Sequence, residues 1–258
     1  MAHRGGATYP PNLGVENSYA AFARAVELGY RWLETDVHAS SDGVVFAFHD
    51  ATLTRLTGQD GSIGDVHSTR LASARIGGTE PVPTLESLLG AFPDACFNID
   101  VKDERAVQPL IDLLGRLDAW ERVCLASFEQ RRVLRLRRLA PPGTATSAGR
   151  VEVAALRATP PWMPSWVDRA ASPPRTTPVW DTVACVQVPV RIRGVPLLTE
   201  GFLRTCHARR LAVHAWIVDE PAEMHRLLDL GVDGVISDRI DVLKDVLVER
   251  GQWADASA

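Results

Sequence analysis

Lysine is almost missing from this chain of 258 residues: Lys102 and Lys244 are the only two, and arginine supplies the other fixed positive charges. Acidic residues outnumber lysine and arginine together, 32 to 28, which gives a formal net charge of −4. This balance argues against nucleic acid as a principal partner, because phosphate backbones select for clustered basic residues. In such a chain, the position of Lys102 within a strand-like run is unusual.

Long apolar runs are also lacking. None approaches the roughly 18 residues that a membrane-spanning helix needs, and the chain opens on Met-Ala-His with no basic stretch followed by an apolar one. This pattern predicts no integral membrane segment and no secretory signal, and hence a cytoplasmic protein. The four cysteines have no Cys-x-x-Cys spacing, so we expect buried, reduced thiols.

Strand-like apolar runs alternate with helical patterns along the whole chain, 46% of which is hydrophobic. Strands are predicted at 1–3, 32–37, 96–102, 122–126, 144–147, 183–188, 212–218 and 233–236, and helices near 106–118, 129–139, 150–157, 199–209, 221–230 and 240–250. Eight parallel strands with alternating helices predict an α/β fold, the (β/α)8 or TIM-type barrel, in a single domain over residues 1–258. The first strand is short, and a missing start would leave one barrel edge unpaired.

Several local signals modify this plan. Ser41-Asp-Gly43 is a turn signal between two apolar runs and predicts a β-hairpin excursion after the second strand. Asn17 is the predicted cap of the first helix. We further expect a loop-rich insertion over 51–83, a Pro- and Trp-rich loop at the barrel mouth over 159–181, and a solvated helix face along the arginine run 131–138.

Two carboxylates, Glu34 and Asp36, stand one residue apart in the second predicted strand. Alternate side chains of a strand point to the same face, so these two acids project together. Two desolvated acids on one face are costly unless they are paired or bind a cation. The spacing therefore indicates a divalent cation.

Barrel geometry extends this acidic cluster, because active sites of such barrels lie at the carboxyl ends of the strands. The polar and aromatic residues at or just past predicted strand ends are His3, Glu34, Asp36, Asp100, Lys102, Ser127, Trp216 and Asp238. Pairing across the predicted hairpin also brings His49 back beside the two acids. We expect these residues to converge in one site.

An ordered set of short motifs resembles the glycerophosphodiester phosphodiesterase family. The family pattern of His-Arg-Gly, Pro-Glu-Asn, Glu-x-Asp-Val, Asp-Gly and His-Asp corresponds here to His3-Arg-Gly5, Val15-Glu-Asn17, Glu34-Thr-Asp-Val37, Asp42-Gly43 and His49-Asp50. Further matches are Pro83-Thr-Leu-Glu86, Asn98-Ile-Asp-Val-Lys102, Ser127-Phe128, Ala215-Trp-Ile-Val218 and the segment 231–239. The chain departs from the family at Val15, where proline is usual, and at Asp100, where glutamate is more usual.

The resemblance implies hydrolysis of a glycerophosphodiester to sn-glycerol 3-phosphate and an alcohol, with one divalent cation, Mg2+ or Ca2+. It implies three metal ligands, Glu34, Asp36 and Asp100, and an acid/base pair, His3 and His49. The residue types suit these roles, since hard cations prefer oxygen ligands and imidazole titrates near neutral pH. The remaining predicted substrate-binding residues are Arg4, Lys102, Glu16, Phe128 and Trp216. Which histidine acts as the base, and whether water or the glycerol 2-hydroxyl attacks, both stay open.

Substrate choice is expected to depend on the loop at 159–181, which carries Trp162, Trp166 and Trp180. Together with Trp216 and Phe128 these side chains could form an aromatic wall, and such a wall would suit a choline-like cation. An equally weighted interpretation is that the tryptophans only pin the loop to the barrel rim.

Three functions are compatible with these patterns. The leading one is a metal-dependent glycerophosphodiesterase acting on a small-molecule substrate. The second is a cyclising enzyme, similar to a phospholipase D, that acts on lysophospholipid or sphingolipid. The third is a barrel that binds a phosphodiester without turning it over. The oligomeric state is left open by all three.

Overall fold

The computed structural model describes residues 1–160, 162–163 and 183–253. In these ranges the strands are β1 Ala2–His3, β2 Trp32–Ala39, β3 Val45–Ala47, β4 Arg75–Ile76, β5 Glu80–Pro81, β6 Cys96–Val101, β7 Val123–Ala126, β8 Ala145–Thr146, β9 Cys185–Pro189, β10 Arg191–Ile192, β11 Val195–Pro196, β12 Ala212–Trp216 and β13 Gly234–Val235. The α-helices are α1 Tyr19–Glu27, α2 Thr54–Thr57, α3 Ser68–Ser73, α4 Leu85–Ala91, α5 Val107–Leu117, α6 Gln130–Leu139, α7 Arg150–Ala158, α8 Glu200–His207, α9 Pro221–Leu230 and α10 Ile240–Glu249. None of the helices within these ranges is long and apolar enough to cross a membrane.

Eight of the described strands form the barrel. Parallel pairing runs in the order β1-β2-β6-β7-β8 and again through β9-β12-β13. Parallel bridges from Ser147 to Cys185 and from Ala2 to Ser237 join the two sheets on both sides. The predicted (β/α)8 barrel is thereby confirmed, and β3 lies outside it, paired antiparallel with β2.

The first strand, although only two residues long, has partners on both sides. Ala2 and His3 pair with Leu33 and Glu34 of β2. On the other side the His3 amide donates to the carbonyl of Ser237 at 3.0 Å, and the amino group of Met1 donates to the carbonyl of Val235 at 2.7 Å. The expected unpaired edge is therefore absent at this position, because the last strand covers it.

Helix α1 begins one residue later than predicted. Ser18, not Asn17, is its cap, since the Ser18 hydroxyl accepts a hydrogen bond from the amide of Ala21 at 3.1 Å. Asn17 has a left-handed φ of 57°, and its side-chain amide donates to Asp36 Oδ2 at 3.2 Å. The prediction for Asn17 was wrong because this side chain is used to hold a site carboxylate.

The insertion after the hairpin has a core of its own. Within 51–83 lie the short helices α2 and α3 and the antiparallel pair β4–β5. A separate cluster of buried apolar residues holds these elements together: Phe46, Phe48, Leu53, Leu56, Ile63, Val66, Leu71, Ala74, Ile76 and Val82. Burial of this cluster gives the insertion a defined position against the barrel.

The arginine run of α6 is only partly solvated. The Arg137 side chain is 9% exposed, and it donates to Ser147 O and to the buried carboxylate of Glu152. The Arg132 side chain is 15% exposed and donates to Val101 O at 2.8 Å. The prediction of a solvated face was wrong for these two residues, because their guanidinium groups satisfy carbonyls at barrel strand ends.

Candidate active site

A cavity of about 560 Å³ opens at the carboxyl ends of the barrel strands. The predicted site residues that line it are His3, Arg4, Glu34, Asp36, His49, Asp100, Lys102, Phe128 and Trp216. Glu16 does not line the cavity, and neither does Asp238, the strand-end residue expected to join the others there. The convergence expected from barrel geometry is therefore present in the structure.

The three carboxylates come from two neighbouring strands. Asp36 of β2 and Asp100 of β6 are paired residues in the parallel register, so their side chains share one face. Glu34 precedes Asp36 by two residues on that face. All three are buried, with 5%, 1% and 6% exposure for Glu34, Asp36 and Asp100.

Two cations compensate part of this acidic charge. Lys102 Nζ lies between two acids, 2.8 Å from Asp36 Oδ1 and 2.5 Å from Asp100 Oδ2. Arg4 Nε lies 3.0 Å from Asp36 Oδ2. Burial raises the pKa of Asp36, but Lys102 and Arg4 outweigh it and hold that pKa below its usual range.

The pKa values of the other two carboxylates are raised, because burial outweighs the effect of the cations beside them. Burial and the neighbouring Asp36 raise the pKa of Glu34 to about 7. Asp100 Oδ1 is buried and has no hydrogen-bond partner. Both observations fit a site that takes a cation, because desolvated carboxylate oxygens need one.

The donor set also has the chemistry that Mg2+ and Ca2+ prefer, since it consists of hard oxygens. As the side chains stand, however, no three His, Cys, Asp or Glu residues in the described part of the chain are grouped to hold a metal ion. The Lys102 ammonium occupies the space between Asp36 and Asp100. The residues have the chemistry for a divalent cation, which would have to compete with Lys102 for these acids.

His3 is held by the far end of the chain. Its Nδ1 lies 2.6 Å from Asp238 Oδ1, and its Nε2 lies 3.7 Å from Glu34 Oε2. Burial lowers the pKa of His3, but the charges of Glu34 and Asp238 outweigh it and the pKa is raised. The sequence predicted that Asp238 lies at a strand end, but it did not predict the contact with His3, because the two residues are 235 positions apart.

His49 is held by its neighbour in sequence. Its Nδ1 lies 2.7 Å from Asp50 Oδ1, and its carbonyl lies 3.1 Å from Nε2 of the buried His38. A carboxylate only accepts hydrogen bonds, so Asp50 places the proton of the neutral imidazole on Nδ1. This arrangement leaves the other ring nitrogen, Nε2, for chemistry in the cavity.

Arg4 reaches the cavity from a tight turn. Its φ is 51°, and the next residue must be glycine, because a Cβ on Gly5 would lie 2.8 Å from the Ala21 side chain. The Arg4 amide donates to Glu34 Oε2 at 3.1 Å, and its Nη1 donates to Glu16 Oε1 at 2.9 Å. Glu16 therefore contacts the cavity residue Arg4 rather than the cavity itself.

The predicted aromatic pair is present at the cavity. The rings of Phe128 and Trp216 meet edge to face, with centroids 5.4 Å apart. Lys102 Nζ lies 5.4 Å from the centre of the Phe128 ring, so this face already has a cation. Of the loop predicted at 159–181, Trp162 is 79% exposed, and Trp166 and Trp180 lie outside the described residues.

Sequence reasoning missed an apolar wall that also lines the cavity. The wall consists of Val153, Ala154, Val188, Pro189, Ile192, Leu197 and Ile217. Two exposed arginines, Arg150 and Arg157, line the cavity as well. Such residues carry no sequence signal of their own, because an apolar side chain at a strand end resembles an ordinary core residue.

Comparison with known proteins identifies the family of this chain. Residues 3–242 match the model of the glycerophosphoryl diester phosphodiesterase family. The chain is 40% identical over 257 residues to a probable glycerophosphodiester phosphodiesterase 2 of Mycobacterium tuberculosis, covering 99% of this chain and 93% of that protein. It is 28% identical to a glycerophosphodiester phosphodiesterase of Caldanaerobacter subterraneus, over 97% and 98% of the two chains.

Solved structures share the fold. One is an Oleispira antarctica phosphodiesterase in complex with the product sn-glycerol-3-phosphate, with a TM-score of 0.73 at 19% identity over 96% of this chain and 95% of that one. Another is a glycerophosphodiester phosphodiesterase from Parabacteroides distasonis, with a TM-score of 0.74 at 20% identity over 97% of each chain. With the family match along nearly its whole length, the chain belongs to the glycerophosphoryl diester phosphodiesterase family of enzymes.

Proposed function

We propose that this protein hydrolyses glycerophosphodiesters to sn-glycerol 3-phosphate and an alcohol, with His3 and His49 as the acid/base pair and one divalent cation, Mg2+ or Ca2+. The observation that carries the proposal is the pairing of each histidine with an aspartate through Nδ1, within a cavity that three carboxylates share. The Oleispira phosphodiesterase, which has the same fold and was solved with sn-glycerol-3-phosphate, supports this substrate class.

The two histidines divide the proton transfers. One imidazole accepts the proton of the attacking hydroxyl through its free nitrogen, and the other donates a proton to the alkoxide that leaves phosphorus. Asp238 and Asp50 fix the ring orientations and stabilise each imidazolium as it forms. Arg4 and Lys102 bind the non-bridging oxygens of the phosphate through charge-assisted hydrogen bonds.

The cation is held by Glu34, Asp36 and Asp100 in this proposal. When bound, it supplies Lewis-acid stabilisation of the charge on the phosphoryl oxygens. The buried Asp100 Oδ1, which has no hydrogen-bond partner, and the raised pKa of Glu34 support this ligand set.

The test is release of glycerol 3-phosphate from glycerophosphocholine and glycerophosphoethanolamine by the purified protein, with Mg2+, with Ca2+ or with EDTA. We expect release that EDTA abolishes and one of the two cations restores. Turnover that persists in EDTA would contradict the metal part of the proposal. Binding of the diester without any product would favour the non-catalytic barrel.

The apolar wall favours lysophospholipid as a second candidate substrate. Its aliphatic side chains suit an acyl chain, and the charged side chains beside it are Arg150 and Arg157. The acids that line the described cavity are Glu34, Asp36 and Asp100, and none of them belongs to the wall. The wall itself offers no negative charge to a choline-like head group and suits the acyl chain instead.

Lysophosphatidylcholine separates these candidates. Phosphorus NMR distinguishes an open phosphomonoester from a cyclic phosphate, and so distinguishes water from an internal hydroxyl as the nucleophile. A cyclic product would support the cyclising enzyme, and failure to cleave the lyso-lipid would exclude this second candidate.

We also propose a cytoplasmic location. The four cysteines are all free, which supports a reducing compartment. Fractionation of cells that produce the protein tests this assignment.

A further inference from the structure

The insertion after the hairpin places one arginine next to the site without putting it in the cavity. Arg55 lies in α2, between Leu53 and Leu56, and both leucines are buried in the insertion core. The Arg55 side chain is 47% exposed and does not line the cavity. Any effect of Arg55 on the reaction must therefore be transmitted through other residues.

The guanidinium group of Arg55 binds two carboxylates at once. Nε donates to Asp50 Oδ2 at 2.6 Å and Nη2 donates to Asp50 Oδ1 at 3.1 Å. Nη1 donates to Glu16 Oε2 at 3.0 Å and Nη2 donates to Glu16 Oε1 at 2.8 Å. Both contacts are bidentate, which is the geometry in which arginine fixes orientation as well as charge.

Each of these carboxylates holds a different member of the site. Asp50 Oδ1 lies 2.7 Å from His49 Nδ1. Glu16 Oε1 accepts from Arg4 Nη1 at 2.9 Å. A continuous path of ion pairs thus joins His49 to Arg4, and Arg55 lies at its centre.

We infer that Arg55 is a positioning residue that orients His49 through Asp50 and Arg4 through Glu16. The guanidinium keeps Asp50 in the plane that accepts from His49 Nδ1, and so it selects the imidazole tautomer that leaves Nε2 for the cavity. The hydrogen bond from Arg55 also helps to hold the pKa of Asp50 at about 2, so this carboxyl stays ionised. The insertion thereby contributes to catalysis from outside the barrel.

The kinetic test compares Arg55→Met and Arg55→Lys with wild type on glycerophosphocholine. Arg116→Met is the matched control, because Arg116 makes a bidentate pair with Glu86 at similar exposure and away from the cavity. We expect Arg55→Met to lower kcat by about 10–100-fold, the usual cost of removing the partner that orients a site group. Arg55→Lys should recover only part of the wild-type kcat, since an ammonium cannot replace two bidentate contacts.

Repeating Arg55→Met in a His49→Ala background separates positioning from general damage. We expect kcat to change by less than about threefold there, because the two changes act through one group and are not additive. The remaining effect falls on KM, through Arg4 and its contact with phosphate. An equal loss of kcat with and without His49 would overturn the inference.

A second measurement does not depend on turnover. Nitrogen-15 NMR of the histidine rings, assigned with His49→Gln, reports the tautomer of His49. We expect the Nδ1–H form in wild type and in Arg116→Met, and a mixture of tautomers in Arg55→Met. The kinetic test rests on the proposed function. If the wild type cleaves no diester, that result contradicts the proposed function and not the inference about Arg55. An unchanged His49 tautomer in Arg55→Met would overturn the present inference in either case.

Discussion

The two halves of the barrel contribute different side chains to one cavity. In the described part of the chain, every carboxylate and imidazole that lines the cavity belongs to residues 3–100. The segments from β7 onward supply instead the aromatic pair, the apolar wall and two arginines. The groups proposed for proton transfer and metal binding thus lie in a different part of the sequence from the surface proposed to face the alcohol, and the two can be varied separately.

The largest expected effect tests the first half. His49→Ala should lower kcat by about 10²–10⁴-fold, because it removes one of the two proton-transfer groups. The factor should be the same for every alcohol, since the proposed mechanism has His49 act at the phosphate, which all these substrates share. Initial rates on two diesters that differ only in head group measure this ratio.

His67→Ala is the control for that change. His67 has an exposed side chain, 61% accessible, and pairs with Asp42 away from the cavity. Thermal stabilisation by Mg2+ or Ca2+ should persist in His49→Ala, because the acids are untouched. A fall in rate that depends strongly on the head group would break the separation between the two halves.

A smaller effect is expected where the two halves meet, at Lys102 between the acids and the Phe128 ring. Lys102→Met should lower turnover by about a hundredfold, since one donor to the phosphate is lost. The same change should increase the rise in Tm that saturating Mg2+ or Ca2+ produces, because Asp36 and Asp100 lose their competing ammonium. Calorimetry with and without EDTA gives both Tm values, and an unchanged rise would refute the competition.

Substitutions in the apolar wall should have an effect of several-fold on one substrate class only. Val153→Ser should reduce kcat/KM for lysophosphatidylcholine by about fivefold, which corresponds to about one kcal/mol of lost apolar contact. Val151→Ser is the matched control on the same helix, since Val151 is 64% exposed and does not line the cavity. Both variants should cleave glycerophosphocholine equally well. An equal loss of kcat/KM on both substrates in Val153→Ser would contradict a role of the wall in substrate selection.

The smallest effect concerns stability in acid. Asp50 has a pKa of about 2, lowered from 3.8 chiefly by its hydrogen bond from Arg55. A lowered pKa in the folded state stabilises the protein above the unfolded value, and this contribution is lost as pH falls toward about 2. The difference in free energy of unfolding between wild type and Arg55→Met should therefore shrink from about pH 5 to about pH 2. Urea unfolding at several pH values measures this difference. A difference that stays constant with pH would show that the titration of Asp50 does not cause it.

The barrel and the convergence of site residues could be predicted because their signals are local. Strand-like runs, helical periodicity and the Glu34-x-Asp36 spacing each occupy a few residues. Once the strand order follows from the fold, the carboxyl ends meet by geometry alone.

The partners of the site residues could not be predicted in this way. Asp238 is 235 residues away from its partner His3, and Arg55 is 39 residues away from its partner Glu16. Asn17 was assigned to a helix cap because asparagine is a good cap, whereas the fold uses its amide on Asp36. Two arginines of α6, Arg132 and Arg137, donate to carbonyls at strand ends, and helical periodicity does not reveal that these carbonyls need donors.

The pairing of Met1 and Ala2 with the last strand brings together segments that lie far apart in the sequence. His3 and Asp238 are 235 positions apart, and Asp238 Oδ1 accepts the hydrogen bond that orients the His3 ring. In the proposed mechanism His3 is therefore oriented only after Asp238 has been synthesised and has reached β1. A nascent polypeptide that already carries both histidines and all three acids would still be inert, and the onset of cleavage would report the moment at which the barrel closes. Tethered chains released at increasing length should thus gain activity in a single step.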